Sequence, residues 1–132
     1  MKQRTRYSFG REVRRPFGEV LAAAGEALQR QGFGILSEID VQAKLQEKLG
    51  IEFPPYRILG ACNPRLASQA LGAEPDLGTL LPCNVVVYEK TPGMTVVAAM
   101  DPVAVLGLVG NPDVEPIAEQ VRDLVGRALD EI

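Results

Sequence analysis

The sequence predicts an α+β domain, a mixed sheet of about five strands packed by helices, in the order strand, helix, strand, helix, strand, helix, strand, strand, helix. Three observations carry this. Stretches in which apolar and polar residues alternate take turns, along most of the chain, with stretches of helical spacing. Two β-branched runs flank Thr91-Pro92-Gly93 and make a hairpin, which breaks the strict alternation of a doubly wound fold. The chain has 132 residues, close to the commonest size for one domain, and no linker or low-complexity segment divides it, so residues 1–132 form one unit.

The elements follow in order. Arg4 and Arg6 alternate with Tyr7, Phe9 and Val13, as in a strand with one wet face. Pro16 suits a first helical turn, Phe17, Val20, Leu21, Ala24 and Leu28 recur at helical spacing, and Gly32 supplies the stop. FGILSEID makes a second strand, with Phe33, Ile35, Ser37 and Ile39 on one face and Leu36, Glu38 and Asp40 on the other. Asp40 caps a short second helix with the stripe Val41, Leu45 and Leu49, and Gly50 is its left-handed exit. Pro54-Pro55 forbids helix and leads into a third strand, from about Tyr56 to Cys62.

Asn63 as N-cap and Pro64 in the first turn restart a helix that buries Leu66, Ala67, Ala70 and Leu71 and ends at Gly72. A breaker-rich loop, AEPDLGTLLP, precedes the hairpin, whose proline and glycine fit a type II turn. Asp101 and Pro102 open a short helical turn through Val105. A last helix points Ile117, Val121, Leu124, Val125 and Ala128 inward and pairs Glu119 with Arg122 and Asp123 with Arg127 outside.

Composition narrows the classes of function. The chain is 46% hydrophobic and 23% charged, as an ordinary soluble globule is, and no apolar run approaches the ~20 residues of a membrane span. No membrane partner is expected. The basic opening, Lys2, Arg4, Arg6, Arg11, Arg14 and Arg15, is followed by no apolar core or cleavage site, so a signal peptide is not expected. With a net charge of −3 this block reads as a solvated strand face, and no nucleic-acid partner is expected. Two cysteines without a secretory signal read as free thiols in the cytoplasm. The absence of histidine excludes a Ser-His-Asp or Cys-His mechanism within the chain and removes the commonest zinc ligand. Two thiolates do not complete a metal centre, and no glycine spacing fits a nucleotide, so neither metal nor cofactor is expected.

Two constellations remain as candidates. Cys62 and Cys83 each precede an asparagine, Asn63 and Asn84, at the edge of a strand. A thiol next to a helix N-cap is biased toward thiolate, which would make Cys62 a nucleophilic or redox residue with Cys83 as its resolving partner. Burial on a strand is the simpler account, since free cysteine is among the most buried residue types and no base is visible nearby. Glu38 and Asp40 leave one face of the second strand, and Lys44 follows in the next helix. Such a set can grip a polar ligand, or be no more than a capping aspartate beside exposed helix charges.

EIDVQAKLQEKLG, LGACNP and LPCNVVVYE together make the stretch from about Gly32 to Met100 resemble the bacterial and archaeal family called domain of unknown function 302. The resemblance implies a sandwich of a mixed, mostly antiparallel sheet against helices, like the TATA-binding-protein architecture, and it implies homodimers. It brings no activity. It does single out Glu38, Asp40, Lys44, Cys62, Asn63, Pro64, Pro82, Cys83 and Asn84, which occupy the matching segments. The expectation is a cytoplasmic homodimeric binding module for a small ligand or protein partner, with its site at strand ends around Cys62, Cys83 and Asp40. The alternative is a thiol-dependent redox enzyme or sulfur carrier using Cys62 with Cys83. Both place the two Cys-Asn segments at one end of the sheet, beside Asp40.

Overall fold

A computed structural model describes residues 2–132. The strands are β1 (Lys2–Gln3), β2 (Ser8–Val13), β3 (Gly34–Asp40), β4 (Tyr56–Cys62), β5 (Cys83–Thr91) and β6 (Met94–Met100). The helices are α1 (Phe17–Arg30), α2 (Val41–Leu49), α3 (Pro64–Ala73), α4 (Pro102–Leu106) and α5 (Glu115–Asp130). All six strands join in one sheet of order β1-β2-β6-β5-β4-β3. The α+β class and the alternating order with its closing hairpin are those the sequence predicts, and Gly93 has the positive φ of 82° that the turn requires.

The sheet is not mixed: every neighbouring pair is antiparallel. Parallel neighbours need a crossover that carries the chain back along the whole sheet. Here α2 and α3 each return the chain from the end at which it left, so β3, β4 and β5 turn back on one another. Only α1 carries the chain across, from β2 to the far edge strand β3.

A second departure lies at the start, where the single expected strand is two. The N–H groups of Arg4 and Thr5 both donate to the carbonyl of Ser8, at 3.0 and 3.2 Å, and the hydroxyls of Thr5 and Ser8 are 2.6 Å apart. These bonds fold residues 4–7 into a tight loop that lays β1 antiparallel to β2.

Strand alternation divides the sheet into two faces. On one, Phe9, Val85, Val87, Val97 and Ala99 are all buried beneath α1 and α5. Helix α1 contributes Val20, Ala24, Ala27 and Leu28 to this core, and α5 contributes Val121, Val125, Ala128 and Leu129. Each fully buried Val, Leu or Phe there stabilises the fold by about 1.5–3 kcal/mol. The other face carries Tyr56, Ile58, Val86 and Tyr88, all half-buried and none part of the core cluster. No core helix covers it.

Three further details differ from expectation. Leu71 of α3 is exposed, not buried, and the loop before the hairpin contains a 3-10 helix, Pro75–Leu80, that buries Leu77 instead. Helix α2 buries none of its residues, although its apolar stripe is where the spacing places it. Arg122 turns from Glu119 to Asp101, whose Oδ1 lies 3.2 Å from its Nε. Among the described residues no helix is long and apolar enough to cross a membrane.

Candidate functional site

The expected site residues fall in three separate places. At one end of the sheet, Ala61 lies opposite Cys83 across the β4–β5 ladder, so Cys62 and Cys83 are neighbours. Both line an apolar cavity of about 30 Å³ with Phe33, Leu66, Leu81 and Val121, enough space for a water or two and no more. Neither thiol is bridged. Burial, and after it the nearby Cys62, pushes the Cys83 thiol up to about 11, so it is protonated at neutral pH and carries no thiolate. Cys62 is half-buried at the strand end. Asn63 is consumed as a cap, its Oδ1 accepting the N–H of Leu66 at 3.2 Å.

Glu38, Asp40 and Lys44 lie elsewhere. Gly34 of β3 is opposite Cys62, whereas Asp40 is opposite Arg57, six residues further along the strand. At the rise of an extended strand that is about 20 Å, so Asp40 stands at the other end of the sheet from the cysteines. The convergence expected from the sequence does not occur. Arg57 takes both carboxylates, with Nη1 2.8 Å from Glu38 Oε2 and Nη2 3.3 Å from Asp40 Oδ2. Asp40 also accepts the Ala43 N–H at 2.9 Å, as the cap of α2, and Lys44 pairs with Glu47 at 3.4 Å. These groups already have partners and open onto no shared cavity with the thiols.

Asn84 alone faces a larger space. On the uncovered face of β2, β6, β5 and β4 lies a groove of about 350 Å³. Its floor includes Val86, Ala98 and Met100, and one wall is Tyr56 against Tyr88, directly opposite each other in the β4–β5 register. Their rings stack with centroids 5.1 Å apart and planes 7° from parallel. Arg4, Thr5, Tyr7 and Ser8 form the other rim. That rim is held by the sequence itself: the Asp101 N–H donates to the Tyr7 carbonyl at 2.7 Å, and the Tyr7 N–H donates to Thr5 Oγ1 at 3.1 Å.

The groove's electrostatics are those of neutral donors beside one cation. Burial raises the Tyr56 hydroxyl above the usual tyrosine value, and Tyr88 and Tyr7, which line the same groove, raise it further. Tyr56 therefore keeps its proton at neutral pH. Among the described residues, the side chains of Arg4, Tyr7, Tyr56, Asn84 and Tyr88 have no hydrogen-bond or ion-pair partner, so their donors are free.

Sequence reasoning missed the tyrosines and Arg4. One signal was present in Val85-Val86-Val87-Tyr88, which is apolar at successive positions and therefore apolar on both faces of the strand. The groove offers a flat apolar wall and several donors. Among the described residues it places no nucleophile beside a base, and no three His, Cys, Asp or Glu side chains gather to hold a metal ion.

Comparison with known proteins agrees with this geometry in fold and is silent on chemistry. The family model described as Domain of unknown function DUF302 matches residues 9–132, beyond both ends of the stretch that carries the resemblance in sequence. The crystal structure of an uncharacterized conserved protein DUF302 from Bacillus stearothermophilus matches with a TM-score of 0.88 and 32% identity, covering 95% of this chain and 97% of that one. No curated protein matches. Matched by the family model in sequence and by a solved member in fold, over nearly its whole length, this chain belongs to the DUF302 family.

Proposed function

We propose that this protein is a cytoplasmic, homodimeric binding module that holds a small molecule in the groove on the uncovered face of its sheet. The observation that carries this reading is the groove itself, an apolar floor ringed by free donors from Arg4, Tyr7, Tyr56, Asn84 and Tyr88. Small-molecule sites have this build, mostly apolar with a few placed polar groups, and about 350 Å³ lies within their usual size range. The unbridged thiols on adjacent strands support a reducing compartment.

Dimerisation is supported at a different place. Nine large apolar residues are exposed among the described residues, and five of them, Ile35, Leu36, Ile39, Leu49 and Ile51, belong to β3, α2 and the turn after it. A sheet edge and a helix that buries nothing together make a surface that a second copy covers. The thiol-dependent alternative is disfavoured by the protonated, buried Cys83, which leaves Cys62 without a ready partner.

The test is a fragment screen followed by NMR on the intact protein. The expected result is perturbation clustered at Val86, Tyr88, Ala98 and Met100, and its loss in Ala98→Trp, which fills the groove while the helical core remains. Perturbations scattered elsewhere, or unchanged in that variant, would overturn the reading.

A further inference from the structure

The lining of the groove selects among ligands, and this inference rests on the reading of the groove as a ligand site. Three features bear on the choice. The first is shape. Tyr56 and Tyr88 stack nearly parallel, so the wall is a flat π surface on which a further ring continues the stack, whereas an aliphatic chain would leave much of that surface uncovered.

The second is charge. Among the described residues, Arg4 is the one cation lining the groove and has no ion pair; Glu12, the acid whose field it shares, is engaged by Lys90. A guanidinium with its fork free takes a carboxylate through two parallel hydrogen bonds. The third is donor chemistry. The hydroxyls of Tyr7, Tyr56 and Tyr88 and the amide of Asn84 can all donate, and no carboxylate lines the groove to repel an anion. One positive charge balances one negative charge. A phosphate monoester, near two negative charges at neutral pH, would retain an uncompensated charge here, and no glycine-rich turn is present to cradle it.

The geometry points to an aromatic carboxylic acid as the ligand, its ring laid on the Tyr56–Tyr88 stack and its carboxylate held by Arg4 with hydrogen bonds from the tyrosine hydroxyls. Binding in this mode is non-covalent.

Isothermal titration calorimetry on the full chain, with tyrosine ring NMR signals as a reporter of place, tests this with three probes: 2-naphthoate, 2-naphthylmethanol and decanoate. The expected result is that 2-naphthoate shifts the Tyr56 and Tyr88 signals and binds at least tenfold tighter than either other probe. Arg4→Gln, a change at an exposed position, should erase the advantage over the alcohol. Tyr88→Leu should erase the advantage over decanoate. Equal binding of the alcohol, or an unaltered preference in Arg4→Gln, overturns the carboxylate while the groove reading stands. Equal binding of decanoate overturns the aromatic requirement in the same way. If no probe moves the groove tyrosines, both this inference and the groove reading fall.

Discussion

Cys83 illustrates how much one buried side chain decides. Its thiol ionises near 9 in an unfolded chain and near 11 in the fold, because burial disfavours the thiolate. A raised folded value contributes stability that is whole below pH 9 and is lost as pH climbs toward 11. Urea titrations across that window should show a loss of about 2–3 kcal/mol, flattened by Cys83→Val, with part of the slope left because Tyr56 is shifted in the same direction. A chromogenic disulfide should label Cys62 well before Cys83, the reverse of what a reactive Cys83 would give. Asp101 is a second case. It is buried, accepts the N–H groups of Val103 and Ala104 at 3.0 and 3.4 Å, and pairs with Arg122, whose guanidinium lies 5.4 Å from the centre of the Phe9 ring. Asp101→Ala removes the cap and strands the arginine, so chemical denaturation should show a loss of about 3 kcal/mol, whereas Asp101→Asn, which keeps an acceptor, should lose less. The caps at Asp40, Asn63 and Asp101 were legible in the sequence because capping is local. The partner of Arg122 was not, because α5 meets Asp101 only through tertiary packing.

Elements were legible to the extent that spacing fixes them. Alternation and helical periodicity located five strands and the principal helices, and the double proline and the turn glycine set their limits. Periodicity says which side of a helix is apolar and not whether anything covers it, which is why the stripe of α2 was visible and its exposure was not. Nor does it say whether a connecting helix crosses the sheet, so the wholly antiparallel pairing stayed hidden. Strand β2 holds a sharper test. A Cβ on Gly10 would run into the Val97 carbonyl oxygen and come within 2.7 Å of Ala98 Cα. Since the obstacle is backbone, Gly10→Ala should cost about 2–3 kcal/mol and loosen β2 from β6, with faster amide exchange confined to those strands as the readout. At the opposite edge, Leu36→Glu combined with Leu49→Glu should leave the fold intact and give a monomer by light scattering, whereas an unchanged mass would place the dimer contact elsewhere.

At the scale of the whole molecule, the groove was the least legible feature, because four stretches distant in sequence build it: residues 4–8, Tyr56, residues 84–88 and residues 98–100. Only the strand order brings them together, and no local pattern encodes strand order. The expected cluster of cysteines and carboxylates failed for the same reason, since the register carries Asp40 away from Cys62. That strand order also bears on how the molecule assembles. From β3 to β6 each strand pairs with its successor, whereas β2 joins β6 by pairing Ser8 with Met100, the longest chain closure in the sheet. Refolding kinetics should accordingly slow for Val87→Ala in the meander, while Val13→Ala should chiefly hasten unfolding. The lip of the groove, Arg4 to Ser8, thus rides on the strand with the longest chain closure, so the groove is complete only once β2 has docked on β6.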